Sequence, residues 1–292
     1  PDAHERYLTH LQEICSADLS GLHVVVDCAN GAASKIAPEA YAAAGARVDA
    51  IYNAPNAYNI NDDCGSTHIE KAQAAVKEYG ADLALSHDGD ADRCLAVDAE
   101  GNVVDGDQIM AILAVGMKND SDLRHNTLVA TVMSNLGLSL AMEQQGIEMI
   151  QTKVGDRYVV EALHDGGFAL GGEQSGHIVL PEHCTTGDGT LTGLLLMSQM
   201  VKTGKSLQEL AGVMTVLPQV LINVPVSDKS VIMGNDDVRA AIAKAEEELG
   251  NGGRVLLRPS GTEELFRVMV EAEQEETARK VAGQLAAVVS AV

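Results

Sequence analysis

A chain of 292 residues, 46% of them hydrophobic, is long enough for two or three domains that each bury a core. Its 42 acidic residues against 20 basic ones give a net charge of −22, and only 3% of its residues are aromatic, with no tryptophan. That balance argues against nucleic-acid binding, which draws on basic faces and stacking aromatics, and the longest apolar runs, 194–197 and 286–289, are far too short to span a bilayer.

The first segment, 1–107, alternates strands and helices. A buried strand at 24–26 enters a turn at 27–31. An Ala-rich helix follows as far as Gly45, then a short strand (47–51), a long polar loop (53–67), a helix (69–79) and a strand (82–86). A further strand is expected at 95–97, with a turn at 98–102. This alternation points to an α/β sheet with parallel strands. The second segment, 108–216, reads as a strand (127–133), a helix ending near Gly146, a strand (147–152), a helix starting at 155–157, a strand (168–170) and a helix (189–202). Pro218 punctuates the chain near a boundary at Val216. The third segment, 217–292, reads strand, helix, strand, strand, helix, at 220–226, 236–249, 254–257, 265–272 and 275–289.

Five cysteines, an odd number with no CxxC spacing, fit free thiols in a reducing cytoplasm better than a disulfide framework. No charged leader precedes an apolar stretch, so no secretory signal is expected. The first residue is proline rather than methionine, as expected for a piece of a longer protein.

Three stretches carry chemistry. The first is "SHDGDADRC", 86–94, with Asp88, Asp90 and Asp92 just beyond a strand. Alternate residues of an extended loop point the same way, so three carboxylates are expected to converge. Close carboxylates repel unless one is protonated or a cation neutralises them, and a hard divalent ion such as Mg²⁺ suits oxygen ligands. A solvated acidic loop is the plain alternative. An EF-hand fails, because the sixth and twelfth positions counted from Asp88 are Arg93 and Ala99. A haloacid-dehalogenase phosphatase, with Asp88 as nucleophile and Asp90 as acid, is disfavoured by Asp92 where that family has Thr or Val.

The second stretch, "GGEQSGH" at 171–177, places Glu173, Ser175 and His177 at alternate positions among glycines. Carboxylate, hydroxyl and imidazole suit a sugar's hydroxyls and a proton transfer. The third, "RPSGTEELFR" at 258–267, offers Arg258, the Ser260 and Thr262 hydroxyls and the backbone around Gly261 as a phosphate cradle. An anion approaching a chain of this charge needs such local cations. A packed histidine and an ordinary hairpin turn are the plain alternatives for these two.

"DGDADR", "GEQSGH" and "RPSGTE", in this order and at this spacing, resemble the α-D-phosphohexomutase superfamily. "DCANGA" (27–32), "CGSTH" (64–68), "TKVGDRYV" (152–159) and "TGDG" (186–189) are similar to its glucosamine-phosphate branch, and the resemblance covers essentially the whole chain. Gln174 stands where phosphomannomutases and phosphoglucomutases more often have Met, and Glu264-Leu265-Phe266 replaces a common Pro-Leu-Ile. The fold implied is two successive mixed α/β sheet domains, 1–107 and 108–216, then a smaller α+β domain, 217–292. These correspond to the second, third and fourth domains of the family. The family's catalytic serine lies in a first-domain loop resembling T-A-S-H-N, and no such stretch occurs here.

The resemblance implies that Asp88, Asp90 and Asp92 hold Mg²⁺ and that Arg93 stabilises a phosphoryl group in transfer. Lys153 and His177 would move protons, and Glu173 and Ser175 would grip sugar hydroxyls. Arg258, Ser260, Gly261, Thr262 and Arg267 would clamp the phosphate that stays in place. The implied reaction interconverts glucosamine 6-phosphate and glucosamine 1-phosphate through a bisphosphate, supplying UDP-N-acetylglucosamine and cell-wall precursors. With the serine-bearing domain missing, the chain is expected to be inactive alone and monomeric. A glucose- or mannose-phosphate specificity, or a non-catalytic sugar-phosphate-binding role, stays open beside it.

Overall fold

Val24, Val25 and Val26 form an apolar run with no visible alternation, yet the strand they build has two different faces. The computed structural model describes every residue except Pro1, Ser227, Gly261 and Thr262. In it β1 (His23–Asp27) turns Val24 and Val26 into one core and Val25 into another. Helices cover both faces of the sheet, so both faces are apolar.

The first sheet orders its strands β2-β1-β3-β4-β5, with β2 (Arg47–Ile51), β3 (Leu83–His87), β4 (Cys94–Asp98) and β5 (Val103–Val104). The sheet is mixed, as expected: β2, β1 and β3 pair parallel, while β3, β4 and β5 pair antiparallel. Six residues, 88–93, join β3 to β4, too few for the crossover that parallel strands require. The aspartate loop is therefore the tip of a hairpin. Of the helices of this region, α1 (Ala3–Ile14) and α2 (Ala33–Ala43) contribute to the inner core, while α3 (Glu70–Tyr79) covers the outer face with Ala72, Ala75 and Val76.

Helix α4 (Gly106–Asp120) starts at a capping box in which the Asp105 carboxylate accepts from the Gln108 N–H. Helix α5 (Leu136–Gln144) and α6 (Asp156–Gly166) alternate with the second sheet, ordered β7-β6-β8-β9. Its strands are β6 (Thr127–Thr131), β7 (Glu148–Thr152), β8 (Leu170–Gly172) and β9 (Ile178–Val179). Helix α6 packs Val159 and Leu163 on its outer face. Helix α7 (Gly189–Thr203) is capped by Asp188, whose carboxylate accepts from the Leu191 N–H, and α8 (Leu207–Ala211) follows.

One core takes Val24, Val26, Leu83 and Leu85 from the first sheet, Leu128, Ala130 and Leu170 from the second, and α4 and α7 from between. Residues 1–134 and 138–214 accordingly form one compact unit. Residues 135–137 and 215–292 form the other. There β10 (Gln219–Pro225), β11 (Gly253–Pro259) and β12 (Leu265–Ala272) make an antiparallel sheet in the order β10-β12-β11. Helices α9 (Lys229–Gly234), α10 (Asp236–Leu249) and α11 (Glu275–Ser290) complete it. Phe266, Val268 and Val270 of β12 join the core with Val238 of α10 and Val281, Leu285 and Val289 of α11. Each such fully buried side chain contributes roughly 1.5–3 kcal/mol.

Candidate functional site

The hairpin tip brings Asp88, Asp90 and Asp92 together, one oxygen of each within 4.8 Å of the others. The loop is not extended. It turns through Ala91 at φ 61°, and the Ala91 N–H donates to the Asp88 carbonyl at 3.1 Å, so a tight turn replaces the expected alternation. Gly31 lies against this loop, where a Cβ would stand 2.2 Å from the Gly89 carbonyl oxygen. The "DCANGA" turn is thereby pressed onto the aspartates.

Asp88 is only 13% exposed in its side chain. Burial, then the Asp92 and Asp90 carboxylates, push it up to about 6, with Arg93 pulling the other way. The Arg93 Nε stands 3.6 Å from Asp88 and 3.7 Å from Asp92, beyond hydrogen-bond range of both. Asp92 Oδ1 is buried without a hydrogen-bond partner. Three converging carboxylates, one with an oxygen that lacks a hydrogen bond, and a single guanidinium ion-paired with two of them leave negative charge that fits a divalent cation with oxygen ligands.

His177, the second residue expected to move protons, lies against the aspartate hairpin. Its ring is buried and both nitrogens are taken. The Gly187 N–H donates to Nε2 at 3.2 Å, so Nδ1 carries the proton and donates it to Asp92 Oδ2 at 3.0 Å. The motif carrying His177 is stitched to the aspartate hairpin through the main chain: Arg93 and His177 form an isolated bridge, and the Cys94 N–H donates to the Gly176 carbonyl at 3.1 Å.

The other residues of that motif are accounted for individually. Glu173 Oε1 accepts from the Gly155 N–H at 3.0 Å, which ties it to the turn after Lys153. The Ser175 hydroxyl is buried without a partner. Lys153 is exposed, its Nζ 5.8 Å from the centre of the Tyr158 ring.

Composition and spacing did not single out His87 or Tyr41. His87 is buried beside Asp88; its Nδ1–H donates to the Arg93 carbonyl at 3.0 Å and its Nε2 accepts from the Tyr41 hydroxyl at 3.1 Å. Burial holds its imidazole below the ordinary value. A histidine adjoining the aspartates was the available signal; a tyrosine in an Ala-rich helix gave none.

The second unit has its own cationic patch. Arg258 of β11 and Arg267 of β12 are direct cross-strand partners, and Asn223 of β10 stands opposite Arg267 on its other side. Like charges directly opposite destabilise a sheet unless an anion shares them. Burial, then the Arg267 guanidinium, hold Arg258 below its ordinary value. Arg258 has no carboxylate partner among the described residues, while Arg267 Nη2 lies 3.6 Å from Glu263 and its Nε is buried without a hydrogen-bond partner. Ser260 is buried at the start of the connecting loop, and its hydroxyl accepts from the Glu263 N–H at 3.3 Å. Gly261 and Thr262, expected to complete the cradle, lie outside the described residues.

Comparison with known proteins gives three successive family matches: phosphoglucomutase/phosphomannomutase alpha/beta/alpha domain II over residues 5–101, alpha/beta/alpha domain III over 105–217, and the C-terminal domain over 221–288. A phosphoglucosamine mutase of Corynebacterium aurimucosum is 75% identical over all 292 residues, and one of Saccharopolyspora erythraea is 62% identical. The chain spans 65% of the length of the first relative and 66% of the second. Among solved structures, an Aspergillus fumigatus N-acetylphosphoglucosamine mutase in complex with GlcNAc-6P and magnesium superposes with a TM-score of 0.82 at 21% identity, over 99% of this chain and 70% of that one. That likeness concerns the fold. With its three matches in order from residue 5 to residue 288, the chain belongs to the phosphoglucomutase/phosphomannomutase family.

Proposed function

We propose that this chain is the metal- and sugar-phosphate-binding part of a phosphoglucosamine mutase, which interconverts glucosamine 6-phosphate and glucosamine 1-phosphate. The observation that carries the proposal is the convergence of Asp88, Asp90 and Asp92 around an orphaned carboxylate oxygen. The relatives at 62–75% identity support the amino-sugar substrate.

In this reading Asp88, Asp90 and Asp92 hold Mg²⁺, which supplies charge neutralisation at the phosphoryl group. Arg93, ion-paired with Asp88 and Asp92 without a side-chain hydrogen bond to either, supplies a second positive charge to the phosphoryl oxygens. Phosphoryl transfer depends on positioning and charge more than on covalent help, and these residues provide both. Glu173 and Ser175 orient the sugar hydroxyls. Lys153, with its exposed ammonium, and His177, beside the aspartates, are the candidates for moving the hydroxyl proton. Arg258, Arg267 and Ser260, with Gly261 and Thr262, grip the phosphate that is not in transfer. The serine that carries the phosphoryl group belongs to the third of the relatives' length that this chain does not span. A cytoplasmic location agrees with the five free cysteines.

Calorimetric titration of Mg²⁺ into the wild-type chain and into Asp90→Asn tests the metal centre. Wild type is expected to bind, weakly because the serine-bound oxygen is missing, and Asp90→Asn at least tenfold more weakly. Equal binding by both proteins removes the metal from this loop. Titrating the 6-phosphates of glucosamine, glucose and mannose side by side tests the substrate: preference for glucosamine supports the reading, and preference for either of the others replaces it.

A further inference from the structure

We propose that Asp27 is a positioning residue for the metal centre: its buried carboxylate binds together the two loops that hold the main chain on either side of Asp88. The inference rests on the reading of Asp88, Asp90 and Asp92 as metal ligands and goes beyond it to a carboxylate at the end of β1 that stands outside the cluster.

Three observations carry it. Asp27 is fully buried and divides its two oxygens between two loops. Oδ1 accepts from the Ala29 N–H at 2.9 Å, and Oδ2 accepts from the Gly65 N–H at 2.9 Å. Each of those loops in turn donates to the aspartate hairpin. From the turn 27–32 the Ala32 N–H donates to the Gly89 carbonyl at 2.8 Å, and from the loop 53–67 the Ser66 N–H donates to the His87 carbonyl at 2.8 Å. His87 and Gly89 are the residues that flank Asp88. Both contacts are closely packed: the Cβ that Gly31 lacks would stand 2.2 Å from the Gly89 carbonyl oxygen, and one on Gly65 would stand 2.7 Å from that of His87. Lastly, Ala29 and Asn30 hold left-handed backbone in succession, at φ 52° and 47°. Such residues persist only where their surroundings over-determine them. Here Asp27 takes the Ala29 N–H, while the Asn30 side chain accepts from the Ala54 N–H at 3.2 Å and donates to the Asn59 carbonyl at 3.3 Å.

Burying a carboxylate is costly even when it is hydrogen-bonded, and valine fills the three positions of β1 before Asp27. What the carboxylate supplies and valine cannot is a pair of acceptors for amides on two separate loops. The main chain around Asp88 is thereby fixed before a cation arrives. A ligand fixed in advance loses less freedom on binding, so metal affinity depends on the residue that fixes it.

The probe is Mn²⁺ alone, its free ion counted by electron paramagnetic resonance in the presence of the 292-residue chain. Wild type is expected to bind and Asp90→Ala is not. Asp27→Asn, which turns one of the two acceptors into a donor, is expected to weaken Mn²⁺ binding about 10- to 100-fold. Gly31→Ala, which forces the turn off the Gly89 carbonyl, is expected to weaken it likewise. Val25→Ala, a core truncation on the same strand, is expected to lower the melting temperature yet keep Mn²⁺ affinity within about threefold of wild type, which separates positioning from stability. In the wild type, Mg²⁺ is expected to slow hydrogen exchange at the Ala29 and Gly65 amides, because coupling between two sites is reciprocal; this readout needs no variant to fold. Mn²⁺ binding by Asp27→Asn equal to that of wild type, exchange at both amides unmoved by Mg²⁺, or a loss of affinity in Val25→Ala as large as in Asp27→Asn overturns the inference while leaving the metal centre standing. Wild-type binding that Asp90→Ala leaves intact, or no binding by wild type, overturns the metal centre itself and this inference with it.

Discussion

Asp88 is the residue at which folding works against ionisation. Burial and its neighbouring carboxylates raise it from an ordinary 3.8 to about 6. A carboxyl raised on folding favours the folded state when protonated. Its contribution is complete below about pH 4 and is lost as pH rises through about 6, because the unfolded chain then binds fewer protons than the folded one. The urea midpoint of Asp88→Asn is therefore expected to gain on that of the metal-free wild-type chain as pH rises from about 4 to about 7. Asp27 and Asp105, also raised by burial, act with the same sign, so the difference between the two proteins isolates Asp88. Parallel pH profiles for the two would show that the carboxylates do not repel in the fold. The identity of the three aspartates as a cluster was legible in the spacing of "DGDADR". The state of His177 was not, since two hydrogen bonds with partners 85 and 10 residues away decide it.

At the scale of elements, the β11–β12 hairpin sorts its residues by the strand period. Phe266, Val268 and Val270 join the core with α10 and α11, and Arg267 alternates with them beside Arg258. Two guanidiniums side by side cost stability, so truncating one should not harm the fold. Arg258→Ala is expected to weaken inorganic phosphate binding by roughly 1.5–3 kcal/mol, roughly 10- to 150-fold. Its melting temperature without phosphate is expected to match or exceed that of wild type. Unchanged phosphate affinity, or a melting temperature lower by several degrees, would make Arg258 a packing residue. β12 was readable as a short run rich in valine with an aromatic residue, broken only by Arg267 and Glu271. The central helix α4 was not readable, because Ile109 through Ala114 are all buried and no amphipathic stripe marks the element.

At the scale of the whole molecule, the proposed function separates sugar-phosphate binding from phosphoryl transfer. No T-A-S-H-N-like loop occurs in the 292 residues, and in the candidate sites the Ser175 hydroxyl oxygen and Ser260 are buried. The purified chain is expected to bind glucosamine 6-phosphate without converting it to glucosamine 1-phosphate. Sustained turnover by protein free of host mutase would mean that a residue of this chain carries the phosphoryl group.

The sequence by itself determined the three motifs, their order, the alternation of helices with strands, and the β-α-β-β-α plan of the last 76 residues, because each rests on local spacing and period. Tertiary structure decided the rest. It turned β4 antiparallel, since a six-residue connection permits nothing else. It joined two sheets in one core through α7, which was legible, and α4, whose buried run from Ile109 to Ala114 shows no amphipathic stripe. It also fused "DGDADR" and "GEQSGH", 84 residues apart at their first members, into one hydrogen-bonded structure. Contacts between residues so distant depend on how whole elements pack, and no local pattern encodes them.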